Sequence, residues 1–456
     1  MTLLSLALLV PWVAGAALAL LDGRRPLIGW LAAGAILTNL ALLVALGAET
    51  LGGEPVTFVT GEWAPGLGIR LRADALGVVF AALSSFAILA ATIHELLEGV
   101  RERTFPGLVV LLTAGLSGVF LTGDLFNFYV CFELAMTASY VLATYGGERR
   151  ELGGALVFMI VNLLGTFLFL LSVAGVYHVT GTLDMALISE RMATVDPSTA
   201  ILIAVGFFVA FSVKLGLFPF HFWLPTVYTA SRPAVAAILS GAVANIGVYG
   251  LLRFGGELLE RELELASTAL IVIGSLSILY GGVLAISRRT PTEMLAYSAI
   301  GQIGYVLVAI GIGGPVGFAA AVLYSVVNAL NKVLLFLVAR MRGLVVGAAF
   351  AVGALSVVGL PPAAGFVGKL EIFRSAAGEP ALLALFVLGS ALSVLYAFQL
   401  YQIDFWREER PGRIAGRAQQ ALVVCLALVV LATGIWPEAL LAPAHEAAGA
   451  LPEGLP

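Results

Sequence analysis

The chain has 456 residues, of which 60% are apolar and only 11% are charged, and its mean hydropathy is +1.03. Soluble domains carry about 25% charged residues, so this composition excludes a water-soluble globular protein. The formal net charge of −4 does not identify a partner, because a membrane protein sorts its charges by side of the bilayer.

The apolar stretches predict an all-α integral membrane protein. A helix that spans a bilayer needs about 20 mostly apolar residues, because its backbone must be hydrogen-bonded internally. About fourteen windows meet this requirement, near residues 2–21, 27–47, 74–97, 106–122, 124–145, 153–177, 199–219, 232–253, 266–287, 291–312, 316–340, 345–372, 381–406 and 418–440. The polar stretches between them are too short to enclose a soluble domain.

Arginines gather in alternate loops of this predicted topology. They are Arg24, Arg25, Arg101, Arg103, Arg149, Arg150, Arg288, Arg289, Arg340, Arg342, Arg407, Arg410, Arg413 and Arg417. Because loops rich in basic residues stay in the cytoplasm, both termini are expected on the outer side. We therefore predict a multi-pass protein of a bacterial or archaeal plasma membrane, surrounded by lipid.

Cofactor-binding patterns are absent from the sequence. Its two cysteines, Cys131 and Cys425, both lie inside predicted spans. No cysteine cluster, haem motif or nucleotide-binding loop occurs, so redox chemistry cannot reside in this chain. The sequence predicts no cofactor and no nucleic-acid partner, and it leaves metal binding and enzymatic activity open.

The three lysines are the most informative residues. Lys214, Lys332 and Lys369 all lie inside predicted spans, whereas the arginines lie in loops or near helix ends. A cation at bilayer depth is costly, so it occurs where it is paired, hydrated or functional. Arginine stays protonated, but a buried lysine can exchange a proton near neutral pH. This division predicts a proton relay.

Glu133 is the deepest acidic residue, near the middle of the fifth predicted span. Beside Lys214 it would remain charged and hold that lysine protonated. A pair whose strength varies with a neighbouring charge is a plausible switch. The alternative is a static ion pair that fixes helix packing.

Helix-breaking residues stand beside two of the lysines. Pro219 and Pro225 follow Lys214, and Pro361 and Pro362 precede Lys369. Proline frees backbone carbonyls that water or neighbouring protein must satisfy, so each lysine is expected beside a hydrated cavity.

The matching positions of the two breaks, in predicted helices 7 and 12, suggest two inverted repeats of five helices. The first repeat covers helices 4–8 and the second covers helices 9–13. The resulting divisions are 1–105, 106–253, 266–406 and 418–456.

Five further residues are possible relay positions, namely Asp124, His221, Asn245, Asn328 and Asp404. Asn328 lies one turn before Lys332 and could orient water, or the two could form a polar seam between helices. His221 could accept protons or hydrogen-bond to loop carbonyls. Asp124 is placed to cap a helix. Asp404 could instead pair with an arginine one turn further on.

Several segments together resemble the antiporter-like family, which includes the D subunits of Mrp-type cation/proton antiporters and the proton-pumping membrane subunits of respiratory complex I and related hydrogenases. The segments are LRADALGVVF, GDLFNFYVCFELAMTASYVL, KLGLFPFHFWLP, SGAVANIGVYGLLR, LAYSAIGQIGY, NALNKVLLFL and GLPPAAGFVGK. The resemblance runs from Asp74 to about Trp406, and the second segment is most similar to the Mrp D type.

The resemblance implies roles for four residues. The family's ion pair corresponds to Glu133 and Lys214, its central lysine to Lys332 and its terminal lysine to Lys369. These four residues are the predicted proton relay.

The chain departs from the family pattern at relay positions. Asn245 and Asn328 stand where the family usually has a lysine and a histidine. Thr292 and Glu293 stand where a lysine and an arginine usually occur. Asparagine and bound water could bridge the resulting gaps.

The resemblance implies a D-type subunit of a multi-subunit Na⁺(K⁺)/H⁺ antiporter, with protons and Na⁺ or K⁺ as its ions and other membrane subunits as its partners. The alternative is a proton-pumping subunit of a complex I-like quinone oxidoreductase or membrane-bound hydrogenase. A third possibility is a scaffold that has lost conduction. A solute carrier fits less well, because the interior polar residues form a chain rather than one pocket.

Overall fold

The computed structural model describes residues 2–63, 66, 68–406 and 413–451. Within these ranges twelve helices are long and apolar enough to cross a membrane. Two shorter apolar helices, Phe105–Phe120 and Leu344–Val358, coincide with the fourth predicted span and with the first part of the twelfth. The predicted helical membrane fold is confirmed, whereas the count of fourteen spans stays a prediction.

The first half of the chain contains nine of the helices. They are α1 (Thr2–Ala19), α2 (Pro26–Thr50), α3 (Ala75–Glu98), α4 (Phe105–Phe120), α5 (Leu125–Ala143), α6 (Arg149–Thr180), α7 (Met185–Met192), α8 (Pro197–Leu215) and α9 (Trp223–Ala230). Aspartate side chains accept hydrogen bonds from the first turns of α3, α5, α7 and α8. Such N-caps satisfy amide groups that the helix itself leaves unpaired.

One continuous helix then runs from Pro233 to Leu258. Its α-helical parts are α10 (Pro233–Ile238) and α11 (Asn245–Gly250), and wider π-helical turns cover Leu239–Val243 and Leu251–Leu258. The remaining helices are α12 (Glu260–Ile286), α13 (Pro291–Ile312), α14 (Gly314–Val338), α15 (Leu344–Val358), α16 (Ala364–Ser375), α17 (Pro380–Tyr401), α18 (Arg417–Ile435) and α19 (Glu438–Gly449).

Burial separates central helices from peripheral ones. The Pro233–Leu258 helix and α14 are almost fully enclosed by other helices, and α13 nearly so. Helices α1, α17 and α18 expose most of their apolar residues on the outside. Such outward apolar surface suits a lipid environment. Lys332, which lies on α14, is therefore in the most enclosed part of the fold.

Short elements that the all-α prediction did not include join the helices. Strands β1 (Val56–Val59) and β2 (Arg70–Ala73) form an antiparallel hairpin in which Val56 pairs with Ala73. Strands β3 (Met341–Arg342) and β4 (Arg413–Ile414) pair in parallel. Helix α7 lies in the polar stretch 178–198. These segments are too short to give an apolar window, so the apolar pattern of the sequence did not predict them.

Several arginine-bearing loops meet at one end of the helix bundle, which we call the arginine-rich end. Arg232 lies 3.1 Å from Glu98, and Arg413 lies 3.7 Å from the same carboxylate. Arg340 donates to the Ser231 carbonyl at 3.3 Å. Arg407 and Arg410 lie outside the described residues. The loops that carry Arg340 and Arg413 therefore meet at this end, whereas the orientation of the chain in the membrane stays a prediction.

At the opposite end, a closed ring of ion pairs fastens the β-hairpin to the Pro233–Leu258 helix. Arg253 contacts Asp74 at 2.7 Å and Glu257 at 2.6 Å, and Arg72 contacts the same two carboxylates at 2.9 and 2.5 Å. Burial raises the pKa of Asp74, but the guanidinium groups of Arg253 and Arg72 lower it by more and hold it at about 2. Two positive and two negative charges therefore balance in a largely buried site.

Candidate functional site

The first helix break positions Lys214 at the end of α8. Gly216 adopts a left-handed conformation with φ of 64° and ends the helix. The chain turns through Phe220–Phe222 before α9 begins. The predicted break is confirmed, but Pro225 does not contribute to it, since it lies in the first turn of α9, where no intrahelical hydrogen bond is lost. The Val213 carbonyl at this helix end accepts a hydrogen bond from the Trp223 indole at 2.9 Å.

The second break positions Lys369. Helix α15 ends at Val358, Gly359 has a φ of 88°, and α16 begins at Ala364. The Lys369 ammonium group donates to the freed Val358 carbonyl at 2.9 Å. The lysine thus supplies the partner that the interrupted backbone requires.

Close packing across this break gives a test of its geometry. A Cβ atom on Gly365 would lie 1.6 Å from the Ser356 carbonyl oxygen. We expect Gly365→Ala to destabilise the assembled protein by about 1–3 kcal/mol, because backbone atoms would have to shift. Thermal unfolding of the detergent-purified protein measures this effect. Gly378→Ala is the matched control, since its Cβ would meet open space, and equal melting temperatures for the two variants would contradict the described break.

Lys214 is held by neutral acceptors on α6. Its ammonium nitrogen donates to the Asn162 carbonyl at 3.1 Å and to the Thr166 hydroxyl at 3.0 Å. It also lies 4.4 Å from the centre of the Phe132 ring, a distance at which a cation is attracted to the face of an aromatic ring. The side chain is buried.

Glu133 lies next to Phe132 on α5, and its charge acts electrostatically on Lys214. Among the described residues the two do not form a direct ion pair, and Glu133 Oε1 is buried without a hydrogen-bond partner. The structure therefore brings the two predicted partners into the same region but leaves them apart. Their coupling is one of charge rather than of contact.

Lys332 lies on α14 and faces α13. Its ammonium nitrogen donates to the Leu295 carbonyl at 3.2 Å and to the Ser298 hydroxyl at 3.0 Å. Its relative exposure is 0%. Asn328, one turn earlier, is also buried, and its Oδ1 atom has no hydrogen-bond partner in the described part of the chain.

Lys369 repeats this arrangement. Besides the Val358 carbonyl, its ammonium nitrogen contacts the Ser390 hydroxyl of α17 at 3.1 Å. Each lysine thus has one carbonyl and one hydroxyl acceptor, and none pairs with a carboxylate among the described residues. A lysine ammonium has three N–H groups and a neutral amine has two, so either form can donate to both acceptors. The three sites can therefore hold either protonation state without rearranging their hydrogen bonds.

A small cavity of about 10 Å³ lies between Lys214 and the Pro233–Leu258 helix. Its walls include Met136, Asn162 and Ala244. A volume of this order is at the lower limit for one water molecule. Asn245 follows Ala244 on the buried helix, and its amide donates to the Gly241 carbonyl of that helix at 2.9 Å.

The other candidate residues lie nearer the ends of the helices. Asp124 caps α5 by accepting a hydrogen bond from the Asn127 backbone amide at 2.7 Å. Burial raises the pKa of Asp124, although hydrogen bonds from backbone amides lower it in part. His221 lies at the first break against Tyr280, with ring centres 4.3 Å apart. Asp404 pairs with Arg342 at 3.3 Å. The arginine one turn after Asp404 lies outside the described residues.

Sequence reasoning missed the hydroxyl groups that receive the lysine hydrogen bonds. These are Thr166, Ser298 and Ser390. A polar residue one turn away on the same helix was an available signal for two of them, Asn162 before Thr166 and Ser393 after Ser390. Serine and threonine are common in membrane helices, however, so the spacing does not identify a function.

Comparison with known proteins shows which family this chain resembles. A family profile described as "NADH:quinone oxidoreductase/Mrp antiporter, TM" matches residues 122–395, more than half of the chain. The chain is 28% identical over 432 residues to the D-type subunit of a Na(+)/H(+) antiporter of Alkalihalophilus pseudofirmus, covering 90% of this chain and 88% of that protein. It is 29% identical over 461 residues to "Putative antiporter subunit mnhD2" of Staphylococcus epidermidis, covering 95% and 92%.

Solved structures agree with this match. A chain of the Mrp complex from Dietzia sp. DQ12-45-1b has a TM-score of 0.91 at 27% identity, with 99% of this chain and 98% of that chain covered. A chain of respiratory complex I from Thermus thermophilus has a TM-score of 0.85 at 24% identity, covering 98% of both, and at that identity it shows the fold alone. With the profile match, these likenesses establish that the chain belongs to the NADH:quinone oxidoreductase/Mrp antiporter transmembrane family.

Proposed function

We propose that this protein is the D-type subunit of a multi-subunit cation/proton antiporter and that it moves protons through Glu133, Lys214, Lys332 and Lys369. The observation that carries the proposal is the set of three buried lysines, each held by a carbonyl and a hydroxyl. Buried groups that can hold or release a proton in an unchanged hydrogen-bond setting are what a relay requires.

The relatives support the choice of antiporter. The A. pseudofirmus protein is named as part of a Na(+)/H(+) antiporter, and the Dietzia structure is of an Mrp complex. By this likeness, other membrane subunits are the partners and Na⁺ or K⁺ is the exchanged cation. We place the protein in the plasma membrane, with its arginine-rich end in the cytoplasm and both termini outside.

The test is cation-driven proton movement in inverted membrane vesicles from cells that lack their own antiporters. With the complete complex present and no electron donor, adding Na⁺ or K⁺ should dissipate an imposed pH gradient. Identification of the copurified chains should show small membrane subunits. Proton movement that requires an electron donor, with iron–sulfur subunits copurifying, would favour a redox-driven pump and overturn the antiporter proposal.

A further inference from the structure

We propose that protons pass between Lys332 and Lys369 along a row of side-chain hydroxyl groups on α13 and α17. The row consists of Ser298, Tyr396, Ser393 and Ser390. This inference rests on the proposed proton transport and assigns the residues that carry the proton in the second half of the chain.

The part of the row nearest Lys332 is continuous. Lys332 donates to Ser298 at 3.0 Å, and the Ser298 hydroxyl lies 2.9 Å from the Tyr396 hydroxyl. Either of these two oxygen atoms can be the donor, so a proton can be passed in both directions. Tyr396 in turn donates to Ser393 at 3.3 Å. Three successive hydroxyl groups therefore lead from the central lysine to α17.

Gln302 is a positioning residue for this row. Its side-chain amide donates to Tyr396 at 3.0 Å and to Ser393 at 3.4 Å. The Tyr324 hydroxyl donates to the carbonyl oxygen of the same side chain. That bond fixes the orientation of the amide, so its NH₂ group points at Tyr396 and Ser393. Both hydroxyl oxygens thereby accept from the amide, and the Tyr396 proton points along the row to Ser393.

The remaining gap lies within one turn of α17. Ser390 and Ser393 are three residues apart, which brings their Cβ atoms to about 5–6 Å on one face of the helix. Ser390 already accepts from Lys369 at 3.1 Å. The Ser393 hydroxyl donates a hydrogen bond to the Gly389 carbonyl at 2.9 Å. Rotation away from this carbonyl, together with one bridging water, completes the connection.

Transfer conserves protons at every step. The Lys332 ammonium gives one proton to the Ser298 oxygen, while Ser298 gives its own proton to Tyr396. Tyr396 gives its proton to Ser393, Ser393 gives its own to the bridging water, and the water gives one to Ser390. Ser390 then gives its own proton to the neutral amine of Lys369, which turns its lone pair toward the Ser390 hydroxyl to accept it. The hydroxyl groups end in reversed orientation and rotate back before the next transfer. No group in the row changes its net charge.

The position where the family usually has a histidine lies outside this row. Asn328 makes no hydrogen bond through Oδ1 among the described residues, and an amide does not titrate. The hydroxyl row therefore supplies a connection from Lys332 that does not need a titratable group at that position.

Single-hydroxyl variants of the complete complex test the row. We expect Tyr396→Phe and Ser298→Ala to slow cation-dependent proton movement in vesicles at least ~10-fold, because positioned proton-transfer groups contribute ~10²–10⁴-fold in catalysis. Ser298→Thr retains a hydroxyl and should retain transport. Matched controls are Tyr401→Phe, on the same helix as Tyr396, and Ser325→Ala, whose hydroxyl donates to the Ala321 carbonyl of its own helix.

These variants distinguish an error in the proposed hydroxyl row from an error in the proposed function. Normal transport by Ser298→Ala and Tyr396→Phe, with transport abolished by Lys332→Ala, would overturn the row alone. Normal transport by Lys332→Ala would overturn the relay itself. If Tyr396→Phe does not assemble, the comparison of Ser298→Ala with Ser298→Thr decides, since equal rates for those two variants contradict the row.

Discussion

Replacing Lys214 with methionine is expected to reduce cation-dependent proton movement to the background of vesicles without the complex, while the complex still assembles. Methionine keeps an unbranched apolar side chain that is one heavy atom shorter than lysine, but it has no proton to exchange. Because Lys214 is held by a carbonyl and a hydroxyl and pairs with no carboxylate among the described residues, its replacement breaks no direct buried ion pair. The more drastic Lys214→Ala should abolish transport as well. Proton movement is measured in inverted vesicles and normalised to the amount of assembled complex.

Two further variants show which property of Lys214 matters. Lys214→Arg keeps a positive charge that does not come off at accessible pH, so it should also fail if proton exchange is required. Leu202→Met, at an outward-facing position on the same helix, controls for the substitution itself and should transport normally. Normal transport by an assembled Lys214→Met complex would exclude this lysine from the relay.

The features that the sequence predicted well are those that short local stretches of the chain determine. Long apolar windows identified the helices, and prolines identified the breaks beside Lys214 and Lys369. These signals are local, because a helix needs its length of apolar residues and a proline cannot continue it. The positions of the lysines inside the fold followed directly.

The features that could not be predicted depend on how helices pack together. The partner of Lys332 is on α13, and that of Lys214 is on α6. Nothing in a span's composition reveals which of its hydroxyl groups faces a lysine of another helix. The hairpin at Val56–Val59 and Arg70–Ala73 was not predicted for a different reason, because four residues are too few to show the alternation of apolar and polar side chains that indicates a strand. The two inverted repeats remain a prediction from the matching breaks.

The structure also refines the hypothesis about Glu133 and Lys214. In a direct ion pair with Lys214, the Glu133 carboxylate would help to fix the packing of the helices. Among the described residues the two side chains form no ion pair, yet the charge of Glu133 acts on Lys214. Breaking a direct buried ion pair costs about 3–5 kcal/mol. A charge that acts without contact can be removed with a much smaller loss of stability, so transport and stability should separate at this residue.

Glu133→Gln is therefore expected to abolish transport while leaving the melting temperature of the purified complex close to that of the wild type. Glutamine keeps the volume and hydrogen-bonding capacity of the side chain but removes the negative charge that favours a protonated Lys214. Glu133→Asp keeps the charge and shortens the side chain by one methylene group, which a water molecule can span, so partial transport should remain. Proton movement in vesicles and thermal unfolding of the same preparations measure the two properties. Wild-type transport by Glu133→Gln would exclude the electrostatic switch, and a large loss of stability with normal transport per assembled complex would show that Glu133 is structural.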